Sequence, residues 1–114
     1  MASVNGHVEV LKVLLEGGAD IDKAKGSGAT PLLMASVNGY VEVVKVLPER
    51  GADVGKVADG GVAPLIMASV NGHVEVVKVL LERGADVDKA ADGGYTPLYN
   101  GSQEGHVEVV KVLL

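Results

Sequence analysis

The stretch MASVNGHVEVVKVLLERGADVD, residues Met67–Asp88, decides the fold, because the chain contains it more than once. Residues 1–22 repeat it with changes only at Leu11/Val77, Gly17/Arg83 and Ile21/Val87, so 19 of 22 positions agree. The core of the stretch, ASVNGHVEV at Ala68, recurs as ASVNGHVEV at Ala2, ASVNGYVEV at Ala35 and GSQEGHVEV at Gly101, so that the four copies follow one another along the chain at steps of 33 residues. Self-similarity at a fixed step of this length is the mark of a repeat array. A unit of 33 residues is too small to bury a core of its own, so its stability comes from stacking on its neighbours. The boundaries that follow are one array over 1–114, with a partial unit at 1–24, full units at 25–57 and 58–90, and a partial unit at 91–114.

One unit, Lys25 to Val57, can be read residue by residue. Gly26-Ser27-Gly28-Ala29 is a turn. Thr30 stands where a helix N-cap is wanted and Pro31 at the first helical position, where its missing N–H costs nothing. Leu32 to Asn38 reads as a short first helix that Gly39 ends by taking the left-handed conformation. Val41 to about Arg50 reads as a second helix, closed by Gly51. Val41, Val44 and Leu47 form an apolar row that Val43 and Val46 widen, which suits a helix held between two neighbours. Glu42 and Lys45 lie three apart on the solvated side, as do Glu9/Lys12, Glu75/Lys78 and Glu108/Lys111.

A 33-residue unit with a turn, Thr-Pro-Leu opening the first helix, Asn-Gly-His, Val-Glu-Val-Val-Lys-Val-Leu-Leu and Gly-Ala-Asp-Val resembles the ankyrin repeat, and the likeness covers the whole chain. The resemblance implies an all-α fold, an ankyrin-repeat solenoid of stacked antiparallel helix pairs with β-turn tips. It also implies a concave binding face made by those tips and the first helices. In this sequence the corresponding positions are Ser27 and Ala29, Asp59 and Val62, Asp92 and Tyr95 in the turns. On the first helices they are Val37 and Asn38, Val70 and Asn71, Gln103 and Glu104. Tyr95 stands out, since Tyr combines large contact area with a polar tip. Tyr99, close by, has a packed or partly buried role as its alternative reading, and Val37 and Val70 are expected to be partly covered.

The chain also departs from the family pattern. The histidine of the family's Thr-Pro-Leu-His box is replaced at Leu33, Ile66 and Tyr99, and the cap threonine is lost at Ala63. A lost cap costs about 1 kcal/mol. Pro48 replaces the leucine found at Leu15 and Leu81. Inside a helix proline costs roughly 3 kcal/mol, so the second helix of that unit is expected to end or kink near Leu47. Gly101 replaces the helix alanine of Ala35 and Ala68, a loss of about 0.5–1 kcal/mol. Together these changes predict a chain of modest stability. Met1 and Leu114 both align with positions inside a unit, and no polar capping pattern is visible. A piece of a longer array is therefore expected, with apolar ends that favour end-to-end self-association.

Composition narrows the function. Apolar residues make up 47% of the chain but aromatics only 3%, with no Phe or Trp, so the core must be Val, Leu and Ala. The 16 glycines, set in an apolar periodicity, indicate frequent turns. A net charge of −5 argues against nucleic acid and anionic membranes as partners. Without cysteine there is no disulfide, thiolate nucleophile or Cys-based zinc site. No apolar run reaches the ~18 residues needed to span a bilayer, and the first residues do not read as a signal peptide. A cytoplasmic location is the expectation.

No chemistry-bearing constellation emerges. Equivalent positions in stacked helices sit about 8–10 Å apart, whereas zinc ligands bind at roughly 2 Å. His7, His73 and His106 therefore read as turn histidines at the start of second helices, and Tyr40 takes the same place. Asp20, Asp53 and Asp86, with Asp22 and Asp88, read as solvated turn residues, because a calcium loop needs more oxygens from one compact segment. Glu82 and Asp86 recur on an open surface with no cleft between them. Gly26-Ser27-Gly28 and Gly60-Gly61 lack the Lys-Ser/Thr and the preceding strand of a phosphate loop. Neither a metal nor a cofactor is expected, nor an enzyme. The expected function is a scaffold that binds a protein or peptide. The alternatives are a spacer within a longer array, or a decayed or artificial repeat with no partner, which Pro48, Ala63 and Gly101 motivate.

Overall fold

A computed structural model describes residues 26–114; the readings of His7, Glu9/Lys12, Asp20 and Asp22 lie outside them. Six helices follow one another: α1 Pro31–Asn38, α2 Val41–Glu49, α3 Pro64–Val70, α4 Val74–Glu82, α5 Pro97–Gln103 and α6 Val107–Leu113. Among the described residues the only β pairings are two isolated bridges, Ala58 with Val62 and Ala91 with Tyr95. First helices pack on first helices (α1 on α3, α3 on α5), second helices on second helices (α2 on α4, α4 on α6), and each pair is closed within its own unit. The fold is the all-α stack of antiparallel helix pairs that the resemblance implies.

Local signals act where the sequence places them. The Thr30 hydroxyl accepts from the Leu33 N–H at 3.2 Å, and the Thr96 hydroxyl from the Tyr99 N–H at 3.1 Å. Ala63 holds the same extended N-cap backbone with no side chain to accept. The prolines Pro31, Pro64 and Pro97 all start first helices. Gly39 closes α1 with φ 73°, a left-handed conformation open to glycine at no steric cost.

Pro48 does not shorten its helix. α2 runs to Glu49, and α4, with Leu81 at the same place, ends at the equivalent Glu82. The reason is position. In the final turn a proline removes one helical donor, while the bonds beyond it remain. Arg50 N–H donates to Val46 O (3.2 Å) and Leu47 O (3.0 Å), Gly51 N–H to Pro48 O (3.0 Å) and Ala52 N–H to Leu47 O (3.0 Å). Arg83, Gly84 and Ala85 make the same set in α4.

The core is built from the apolar rows of the second helices and the inner sides of the first. Leu32, Val44, Leu47, Leu65, Val76, Val77, Leu80 and Val109 are fully buried. Besides Thr30, two serine hydroxyls share this interior: Ser36 donates to Leu32 O at 2.8 Å and Ser69 to Leu65 O at 2.7 Å. Each satisfies its polar group within its own helix, which removes the penalty of burying it. The pairs Glu42/Lys45, Glu75/Lys78 and Glu108/Lys111 close at 3.6, 3.4 and 3.5 Å on the exposed side.

Candidate functional site

The tips are short hairpins whose shape the backbone sets. Ala58 N–H donates to Val62 O and Ala91 N–H to Tyr95 O, both at 2.9 Å. Successive tips are then tied in register: Asp59 N–H donates to Ser27 O at 2.9 Å, and Asp92 N–H to Gly60 O at 2.8 Å. Gly61 shows why glycine stands between them. Its φ is +73°, and a Cβ there would come within 2.9 Å of Asp92 Oδ1. The Asp92 carboxylate therefore lies over the preceding tip.

Of the turn positions, Ser27, Asp59, Asp92 and Tyr95 are exposed, and Ala29 and Val62 are half-buried. The Tyr95 ring covers Gly93 and meets Tyr99 at 5.2 Å between centroids, tilted by 47°. Tyr99 is exposed along with it. On the first helices Val37 and Val70 are half-buried, while Asn38, Asn71, Gln103 and Glu104 are exposed. These residues do not form one patch. The tips precede the N-terminal ends of the first helices, and the second group lies at the C-terminal ends, about 12 Å away along an eight-residue helix.

The second group is largely occupied with the fold. Asn38 Nδ2 donates to Met34 O at 2.8 Å within α1. Asn71 Nδ2 reaches back across the junction to Val37 O at 3.1 Å. His73 Nε2 meets the same oxygen at 2.9 Å, and His106 Nε2 meets Val70 O at 2.8 Å. A carbonyl oxygen can only accept, so in each ring Nε2 carries the proton and donates. The last carbonyls of a helix have no partner inside it, and here the next unit supplies one. This role of His73 and His106 is not in the sequence reading, which places them correctly as turn residues at the start of α4 and α6. The signal available was their recurrence just after Gly72 and Gly105; nothing local names an acceptor 36 residues earlier. Glycine at the end of the preceding unit's first helix leaves room for each ring: a Cβ on Gly39 would lie 2.7 Å from His73 Nδ1, and one on Gly72 2.7 Å from His106 Nδ1.

Elsewhere the polar groups are likewise engaged. In the depression between the loops after α2 and α4, Asp53 Oδ1 accepts from Gly55 N–H and Asp86 Oδ1 from Asp88 N–H, both at 2.9 Å. Lys89 Nζ reaches Gly55 O at 3.4 Å. Among the described residues no three His, Asp or Glu side chains converge on a common point, and no helix is long and apolar enough to cross a membrane.

Two family models match the sequence. One described as ankyrin repeats (3 copies) matches residues 1–58, and one described as ankyrin repeats (many copies) matches residues 65–114. No curated protein matches the chain.

Proposed function

The chain belongs to the ankyrin-repeat family, and from that premise we propose that it is a protein-interaction scaffold holding a protein or peptide on its turn tips and first helices. Ankyrin repeats are generally protein–protein interaction modules and typically not enzymes. The observation that carries the proposal is the contrast between tips and bodies. The second helices repeat almost unchanged, whereas the tips vary: Ala29, Val62 and Tyr95 share one register position, and Gly26, Asp59 and Asp92 another. Backbone bonds hold these tips one above the next, so the varying side chains are displayed on a fixed frame. Ordering that frame before binding lowers the entropic cost of association.

The exposed Asp59, Asp92 and Glu104, and a net charge of −5, favour a basic partner. Tyr95 and Tyr99 offer the largest aromatic surface. The proposed partner is neither nucleic acid nor membrane, and the proposed location is the cytoplasm. The test is affinity capture on the immobilised chain with Tyr95→Ala and Asp92→Ala variants. Loss of a central aromatic anchor weakens binding by roughly tenfold or more. Retention unchanged in both variants, with unaltered circular dichroism, would remove the tips from the binding face.

The near-identity of residues 1–22 and 67–88 supports a second reading, a spacer within a longer array. A neighbouring catalytic or membrane domain in the flanking sequence would favour it.

A further inference from the structure

We propose that Asn71 is a site of spontaneous deamidation, and that losing its amide removes one of the two donors that tie the α3–α4 unit to the end of α1. An asparagine followed by glycine is open to this reaction, because no side chain shields the attacking backbone nitrogen and glycine lets the chain turn toward it. The described residues hold three such pairs, Asn38-Gly39, Asn71-Gly72 and Asn100-Gly101. The fold separates them. Asn100 is half-buried in the middle of α5, and its Nδ2 donates to Thr96 O at 3.1 Å. Asn38 is the last residue of α1, and the nitrogen after it belongs to the helical ladder, Gly39 N–H donating to Ala35 O. Asn71 is exposed and stands beyond the end of α3, and the Gly72 N–H reaches Ser69 O at 3.3 Å. Helix ends open locally at little cost in free energy, and this end leaves the attacking nitrogen least engaged.

The chemistry needs only water. The Gly72 backbone nitrogen bonds to the Asn71 side-chain carbonyl carbon and gives up its proton to solvent. The side-chain nitrogen takes a proton and leaves as ammonia. One water then opens the five-membered imide at either carbonyl, leaving aspartate, or isoaspartate with the main chain routed through the side-chain carbon. Nothing is oxidised or reduced.

The product bears on the junction. Val37 O accepts from Asn71 Nδ2 at 3.1 Å and from His73 Nε2 at 2.9 Å. A carboxylate at position 71 cannot donate and sets negative charge beside that carbonyl oxygen. The next junction already has this arrangement: Glu104 stands one 33-residue step after Asn71, and Val70 O is met by His106 Nε2 at 2.8 Å with a carboxylate in place of the amide. Deamidation therefore converts the first junction to the form of the second.

Peptide mapping by mass spectrometry tests this, on the protein aged at mildly alkaline pH with and without urea. In the folded protein the exchange of NH2 for OH should be several-fold faster at Asn71 than at Asn38 or Asn100; in urea the three rates should converge. Asn38 or Asn100 reacting as fast as Asn71 in the folded protein, no reaction at Asn71, or the same order kept in urea overturns the site. Asn71→Asp should lower the folding equilibrium constant by roughly two- to tenfold, the worth of one hydrogen bond, and Glu104→Asn should raise it by a similar factor. An unfolding midpoint that Asn71→Asp leaves in place overturns the effect on the junction.

Discussion

The α1–α2 and α3–α4 units are built from different local signals and arrive at one shape. The first has a capping threonine at Thr30 and a proline, Pro48, in its second helix; the other has neither, with Ala63 and Leu81 in their places. Yet α2 and α4 start and stop at equivalent residues, and the chain leaves both through the same hydrogen bonds. The first helices differ by one residue, α1 continuing through Asn38 and α3 ending at Val70. Helices this short gain little from propensity alone and take most of their stability from packing. The comparison teaches that stacking dictates shape, while caps and breakers adjust how much stability that shape retains.

The largest break in the comparison should come from the stacking itself. Leu80 is fully buried between α2 and α6, and Leu80→Ala should cost about 2–5 kcal/mol. Leu113, the same position in a unit stacked on one described side, should lie at the lower end of that range. Urea unfolding of both variants measures the difference, and equal costs would mean that each unit stands on its own. Next in size, Pro48→Leu should restore the helical N–H and raise stability by about 1–3 kcal/mol, seen as a higher melting temperature with unchanged helical content. A midpoint that does not move would show the last turn of α2 to be held wholly by its neighbours. Smallest, Ala63→Thr should add about 1 kcal/mol by giving α3 the cap that α1 and α5 have. The Thr30→Ala variant should lose a similar amount, making the two units exchange places.

Most of the fold was legible because the repeat states it several times. The 33-residue step, Thr30-Pro31 at a helix start, and Gly39 at a helix end all act through neighbours in sequence, and each appears in the structure where expected. Pro48 misled because its cost was weighed within one helix, whereas the stacked α4 and the bonds beyond Leu47 maintain the final turn. The histidines were legible in place but not in role, since their acceptors are backbone atoms of another unit. The partial cover of Val37 and Val70 was anticipated, whereas Tyr99 was left open between a contact and a packed residue, because at that position it is the stacking of a further unit, and not the residue's own helix, that decides burial. The candidate site was legible as a set of register positions. That it divides into a tip group and a junction group depends on helix length and on which amide already has an acceptor.

The connection from His73 to Val37 is one-sided in a way that bears on how such a protein can change. The donor is a side chain, and only a few residue types could replace it; the acceptor is a peptide oxygen that every residue carries. Drift at position 37 or 70 therefore leaves the coupling intact, while drift at 73 or 106 severs it. Neighbouring units can diverge at the acceptor without losing their grip.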